Sequence, residues 1–311
     1  MVEGMRAGIL DRLGFDFESL KSINPKIVFC SVSGLGRYGP YAKMGSHGPS
    51  FDAFAALTSV NPYALTKEER IESGITPVGM HAMGLFAALG ALSAVIRAKA
   101  TGEGALIEVA AAECAAHWMP DIIDAELNKD ICFDRPGFLG GNGKQANWSR
   151  LCRYECGDGR GMLFQALSPK FWDRFCKAVD RPDLGKIYDE DRDVNDIDED
   201  VHEALCTLFL KRNFSDWMQL FAEHDVPAGP ANSRETLVTD PHFLARDNVY
   251  DVDLPGTGTI HLTTTPVKTP DQKFSPTLAP EAGEMTESIL KDWLDLDAGT
   301  IEKLRKQGAL V

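Results

Sequence analysis

From Thr76 to Gly104 the chain reads TPVGMHAMGLFAALGALSAVIRAKATGEG, an apolar body in which Arg97 is the first charged side chain. A run this long, without strict alternation, predicts a helix, and Thr101-Gly102-Glu103-Gly104 supplies its stop. A helix that follows a loop usually opens on Ser, Thr, Asp or Asn. This one opens on Met80, His81, Ala82 and Met83. Upstream, the β-branched run NPKIVFCSVS predicts a strand that ends at the turn Gly34-Leu35-Gly36. RYGPYAKMGSHGP then reads as a loop, and SFDAFAALTSV as a helix with Ser50 in the N-cap position. Downstream, ALIEVA is a second strand, followed by a helix from Ala111 through Cys114 and Trp118. Strand, helix, strand, helix is the pattern of an α/β layer with a mainly parallel sheet.

From Asp134 the pattern changes. RPGFLGGNGKQANWS is a glycine-rich loop, and RLCRYECGDGRGMLFQAL predicts two antiparallel strands around Gly157-Asp158-Gly159. Amphipathic stretches predict helices over 169–179, 200–211 and 214–224. The segment from Asp225 to Pro241 has loop and turn character, YDVDLPGTGTIHLTTTPV reads as a strand pair, and the C-terminal end is rich in helix.

Composition narrows the functional classes. The 311 residues carry a formal charge of -14, which argues against a nucleic-acid footprint and an anionic membrane surface. The apolar run from Ile75 to Ile96 is long enough to raise a membrane span. Pro77, His81, its glycines and the missing aromatic flanks favour a helix buried in protein instead. Seven scattered cysteines, an odd number, suit free thiols in a reducing cytoplasm, and MVEGMRAGILDRLG has no signal-peptide pattern.

Generic chemistry motifs are absent or incomplete. YDEDRDVNDIDED spaces Asp189, Asp191 and Asp193 like a calcium loop, but Val194 stands where its glycine belongs and Asp200 where its Glu belongs. It reads as a solvated acidic loop, and no metal site is expected. Gly34-Leu35-Gly36 lacks the third glycine of a dinucleotide fingerprint. No serine sits in a G-x-S-x-G elbow.

Several segments, in order, carry a resemblance. VEGMRAGILDRLGFDFESLKSINPKIVFCSVSGLGRYGPY, then ATGEG with IEVAAAE, then LSPKFWDRFCKAVDRPDL, DVPAGPANSRETLVTDPHFLARD and APEAGEMTESIL resemble the family III CoA-transferases, of the carnitine and formyl-CoA transferase (CaiB/BaiF) group. The likeness covers essentially the whole chain. It implies a Rossmann-like, open, mostly parallel sheet built from both chain ends, with a smaller α+β domain inserted and two subunits interlocked as rings. The corresponding segments are 1–133 for the large domain, 134–150 for the glycine-rich loop and linker, 151–235 for the small domain and 236–311 for the return. Members carry a further strand-helix portion ahead of the Glu-Asn-Phe-Arg segment, inside which this chain begins, at Val2-Glu3-Gly4.

The family's chemistry rests on one Asp that takes up acyl groups as a mixed anhydride and then holds CoA as a thioester. No covalently bound cofactor is expected, and the CoA thioester is the substrate. The Asp lies four residues before the glycine of the long helix and twenty-one before the Thr of Thr-Gly-x-Gly. Counted from Gly84 and from Thr101, both anchors fall on Met80. A thioether forms no acyl anhydride, so the resemblance leaves the catalytic position empty. CoA- or substrate-facing positions implied by it are Arg6, Met80, His81, Gly140, Gly141, Gly143 and Gln145. Gly4, Met5, Ala105 and Met285 also depart from the family's ligand-facing residues.

Three readings stay open. The first is a non-nucleophilic subunit that moves CoA between an acyl-CoA and a carboxylic acid beside an Asp-bearing paralogue, as in the two-subunit succinyl-CoA:benzylsuccinate type. The second is an isomerase similar to 2-methylacyl-CoA racemases, whose His and Asp would stand at Phe51 and Met80; the nearest His, His47, lies four residues early. The third is an inactive CoA-binding or scaffold protein.

Overall fold

The computed structural model describes residues 1–57, 78–128, 139–140, 144–145, 149–185, 199–271 and 278–310. Contacts group the chain into two units, one of residues 1–146 with 193–195, the other of 147–192 and 196–311.

The first unit is α/β. Its main sheet has the order β1 (Val2–Glu3), β2 (Val28–Ser33), β3 (Ala105–Ala110), and both pairings are parallel. Val28 pairs with Ala105 and Ser33 with Ala110, so β2 and β3 match over all six residues. Parallel strands need crossovers, and helices supply them. The helix Phe17–Ile23 lies between β1 and β2, capped by Asp16, which accepts the Ser19 N–H at 2.9 Å. The helices Gly48–Phe54 and Val78–Thr101 lie between β2 and β3. Ser50 is inside the first of these and not its cap; His47 holds the N-cap position without a side-chain bond, and Pro49 takes the first turn. A proline there gives up an N–H that has no helical partner anyway, so the helix starts three residues earlier than the serine suggests. The helix after β3 ends at Ala116, short of Trp118. Further along, β4 (Leu139–Gly140) and β5 (Lys144–Gln145) form a short antiparallel pair.

The long helix approaches the sheet through small residues. Gly79, Ala82, Ala87, Ala94 and Ala98 are its buried positions. Gly90 lies so close that an added Cβ would sit 3.3 Å from Ile107 Cγ2. The large side chains point the other way: Leu85, Leu89, Leu92 and Ile96 are 63–70% exposed. Only 22% of its most apolar 18-residue window is buried in this chain. The expectation of an enclosed helix therefore holds on one face only, because the face that fits the sheet is the one without bulk. Gly102, at φ 80°, ends it in the left-handed conformation that glycine adopts without strain.

The second unit contains the antiparallel sheet β6 (Cys152–Glu155), β7 (Gly161–Phe164), β8 (Ala228–Pro230). The β6–β7 hairpin turns around Gly157-Asp158-Gly159, as the sequence predicts. The helices Pro169–Ala178, Glu199–Phe209 and Phe214–His224 close over it. Phe164, Trp172, Phe175, Phe209, Trp217 and Phe221 form a continuous aromatic core, with neighbouring rings 4.7–6.4 Å apart in tilted, edge-on and stacked pairs. The segment from Asp225 to Pro241 is more ordered than its turn-rich sequence suggests. It holds β8 and the short helix Arg234–Leu237, where Ser233 and Thr236 form a reciprocal capping box. β9 (Val249–Leu254) and β10 (Gly258–Thr263) form the expected hairpin, and the helices Thr286–Leu294 and Ala298–Lys306 follow.

Candidate functional site

In open parallel sheets ligands bind beyond the carboxyl ends of the strands. A cleft of about 390 Å³ lies there in the first unit. Its lining comes from the segment after β1 (Gly4 to Ala7), the end of β2 with the turn that follows it (Val32 to Gly36), the loop from Ala42 to Ser46, Phe51, and the first turns of the long helix, Met80 and Met83.

A buried polar network fixes the first two segments. Glu3, 8% exposed, accepts the Ser31 hydroxyl through Oε1 and the Met5 N–H through Oε2 at 2.8 Å. Arg37 reaches Glu3 at 3.4 Å and Asp11 at 3.1 Å, while its own backbone N–H donates to Glu108. Gly36 N–H donates to Ser33 Oγ at 3.0 Å, and Gly34 C=O accepts from Ala112 at 3.0 Å. The turn is thereby tied to β1, β3 and the helix that follows β3.

Met80 lines the cleft and is 47% exposed. Its sulfur rests over Gly48, where a Cβ would lie only 2.6 Å away. Gly45 makes the same kind of room for Arg6, whose Nη2 would be 2.9 Å from a Cβ there. Among the described residues Arg6 is the one charged side chain in the lining, and it has no ion pair or hydrogen-bonded acceptor there. No carboxylate lines the cleft among the described residues. Four of the nine methionines, Met5, Met44, Met80 and Met83, do.

Of the residues singled out from the sequence, the structure brings Arg6 and Met80 together in this cleft. His81 is exposed and lies outside the lining, because the next residue of a helix points about 100° away. Gly140 on β4 and Gln145 on β5 are also outside the lining. Gly141 and Gly143 fall outside the described residues. Among the described residues no cluster of three His, Cys, Asp or Glu side chains is placed to hold a metal.

Sequence reasoning passed over Asp52. It is fully buried, and its Oδ1 accepts the Gly79 N–H at 2.9 Å. This carboxylate, from the neighbouring helix, satisfies one of the N–H groups in the first turn of the long helix. An Asp beside the buried Phe51, within a helix of otherwise apolar or small residues, was the available signal.

The profile of CoA-transferase family III matches residues 1–286. The alpha subunit of succinyl-CoA–L-malate CoA-transferase from Chloroflexus aurantiacus is 25% identical over 99% of this chain and 71% of its own length. Formyl-CoA:oxalate CoA-transferase from Rhodopseudomonas palustris is 26% identical over all of this chain and 76% of its own. Among solved structures, Rv3272 from Mycobacterium tuberculosis superposes with a TM-score of 0.70 at 21% identity, over 88% of this chain and 71% of that one. A CAIB/BAIF family protein from Brucella suis gives 0.64 at 22% identity, over 94% and 74%. With a profile match over most of its length and a fold shared with CaiB/BaiF-type proteins, the chain belongs to CoA-transferase family III, a family of transferases.

Proposed function

We propose that this chain is the subunit without the nucleophile in a heteromeric family III CoA-transferase, and that a paralogous subunit carries the Asp. One observation carries the reading: at the carboxyl ends of β1 and β2, where the family's Asp is expected, the cleft presents Met80 and no carboxylate among the described residues.

In the complete enzyme the partner's Asp attacks the donor thioester carbonyl, expels CoA thiolate and forms a mixed anhydride. The thiolate then attacks the aspartyl carbonyl, which frees the donor carboxylate and leaves an aspartyl-CoA thioester. The acceptor carboxylate attacks this thioester and again displaces CoA thiolate, forming its own anhydride with the Asp. Thiolate attack on the acceptor carbonyl completes the transfer and regenerates the Asp. No step needs Met80.

The outward stripe Leu85, Leu89, Leu92 and Ile96 supports a chain that functions with a cover over this helix. A relative named as an alpha subunit supports a second kind of subunit. The interlocked architecture, with residues 236–311 returning to the large domain, belongs to the same proposal, as does a cytoplasmic setting, which the free thiols of the six described cysteines support. The racemase-like reading has no support from the geometry, since Phe51 and Met80 carry no transferable proton.

Affinity purification of the tagged chain from its native host tests the proposal. The expected result is co-elution of an Asp-bearing paralogue, with CoA transfer present in the complex and absent from the isolated chain. Full transferase activity in a homomer would overturn it.

A further inference from the structure

We infer that the Met80 cleft is a non-covalent binding site for a monocarboxylic acid with an apolar body, anchored by Arg6. The inference rests on the functional reading above and names the ligand class of the same cleft. A nucleophilic carboxylate at position 80 would face the guanidinium across a small cleft and would compete with any incoming anion. With Met80 in its place, Arg6 is, among the described residues, the only charge in the lining and without an acceptor. The N-terminus of the long helix adds positive potential at the same end. That contribution is reduced, because Asp52 already takes the Gly79 N–H, so the anion's anchor is Arg6.

The rest of the lining selects the body of the ligand. Met44, Met80 and Met83 with Leu35, Val32 and Phe51 present an apolar wall, and unbranched thioethers adapt to different apolar shapes. For a second carboxylate the lining offers only the Ser33 and Ser46 hydroxyls and no second cation among the described residues, so a dicarboxylic acid is disfavoured. A neutral alcohol of the same length would gain the wall but lose the charge-assisted fork of Arg with carboxylate. The volume of about 390 Å³ sits at the small end of ligand pockets and suits an acid of medium length.

Isothermal titration of the full-length chain, alone and with its co-purified partner, uses hexanoate as the probe, with 1-hexanol and succinate as comparators. The expected result is hexanoate binding at least tenfold tighter than either comparator. Arg6→Gln should weaken hexanoate at least tenfold while leaving hexanol unchanged, which also reports that the cleft is intact. Met80→Asp should weaken hexanoate similarly by pairing with Arg6. Equal affinity for hexanoate and hexanol, tighter binding of succinate, or an Arg6→Gln variant with unchanged affinity would overturn the inference, as would absence of binding. Those outcomes are separable from the subunit proposal, which stands or falls on the co-purified paralogue and on activity of the isolated chain.

Discussion

Asp52 and Gly79 are twenty-seven positions apart in sequence, yet the carboxylate of one accepts the backbone N–H of the other at 2.9 Å. The long helix is thus capped from outside itself. Asp52 Oδ2 has no hydrogen-bond partner among the described residues, so the carboxylate is held at a cost in desolvation. Asp52→Ala removes the acceptor and leaves a buried N–H behind, a loss of about 1–2 kcal/mol by the measure of N-caps. Asp52→Asn keeps one acceptor oxygen and should unfold at a urea midpoint between those of wild type and Asp52→Ala. An alanine variant with the wild-type midpoint would remove Asp52 from this role.

Two glycines of the same helix should respond in opposite directions. A Cβ on Gly79 would lie 2.8 Å from the Ala111 carbonyl oxygen and 3.2 Å from Ala115 Cβ. Gly79→Ala therefore forces the helix away from the helix Ala111–Ala116, at roughly 1–3 kcal/mol. A Cβ on Gly84 meets nothing within 4 Å. Gly84→Ala should stabilise by about 0.5–1 kcal/mol, because glycine is the poorer helix former. Thermal denaturation of the two variants side by side reads the difference in sign.

Local pattern is where sequence and structure agree best. The alternation in Cys152–Phe164, the β-branched run Val28–Ser33 and the glycine stop at Gly102 each set an element through short-range chemistry, and each is found in place. Of the four methionines in the cleft, residue counting along the sequence reached Met80, while Met44 and Met83 come to it only through the fold. The cap on the long helix was not legible, because its acceptor comes from Asp52, across a gap in sequence. Nor was the direction of its bulky face: hydrophobicity marks Leu85 and Ala87 alike as core, and only the close approach of the sheet decides that the small one goes inside. His81 lies outside the cleft lining for a related reason, since adjacency in sequence to Met80 means divergence on a helix.

Acid should weaken the fold through its capping carboxylates. Asp16 is held below the usual carboxylate range by the Ser19 hydroxyl and N–H, Asp240 by the Phe243 N–H and Asp297 by the Thr300 N–H. A pKa lower in the folded chain than in the unfolded one adds stability above the unfolded value of about 4 and loses it as pH falls through the folded value. Stability should therefore be level near neutrality from these groups and decline below about pH 4. The combined variant Asp16→Asn, Asp240→Asn, Asp297→Asn keeps the acceptors without their titration, and its decline should be shallower. Melting temperatures from pH 7 to pH 3 provide the check, and parallel curves for the two proteins would refute the assignment.

Restoring a carboxylate at position 80 offers the sharpest chemical test of the empty site. Met80→Asp places an anion in the first turn of a 24-residue helix, where the dipole favours it, and beside Arg6 in the same cleft. It also brings a second acid near the buried Asp52, so some loss of thermal stability is expected. If the remaining lining still fits an acyl-CoA, the introduced carboxylate should accept the acyl group and exchange it for CoA. Hydroxylamine then converts the activated carboxyl to a hydroxamate, which peptide mass spectrometry locates. Wild type and Met80→Asn should show no modification in this peptide, because neither a thioether nor an amide forms the anhydride. Hydroxylamine-sensitive acyl uptake by the wild-type chain, at Asp52 or any other carboxylate, would show instead that the nucleophile has moved and has not been lost.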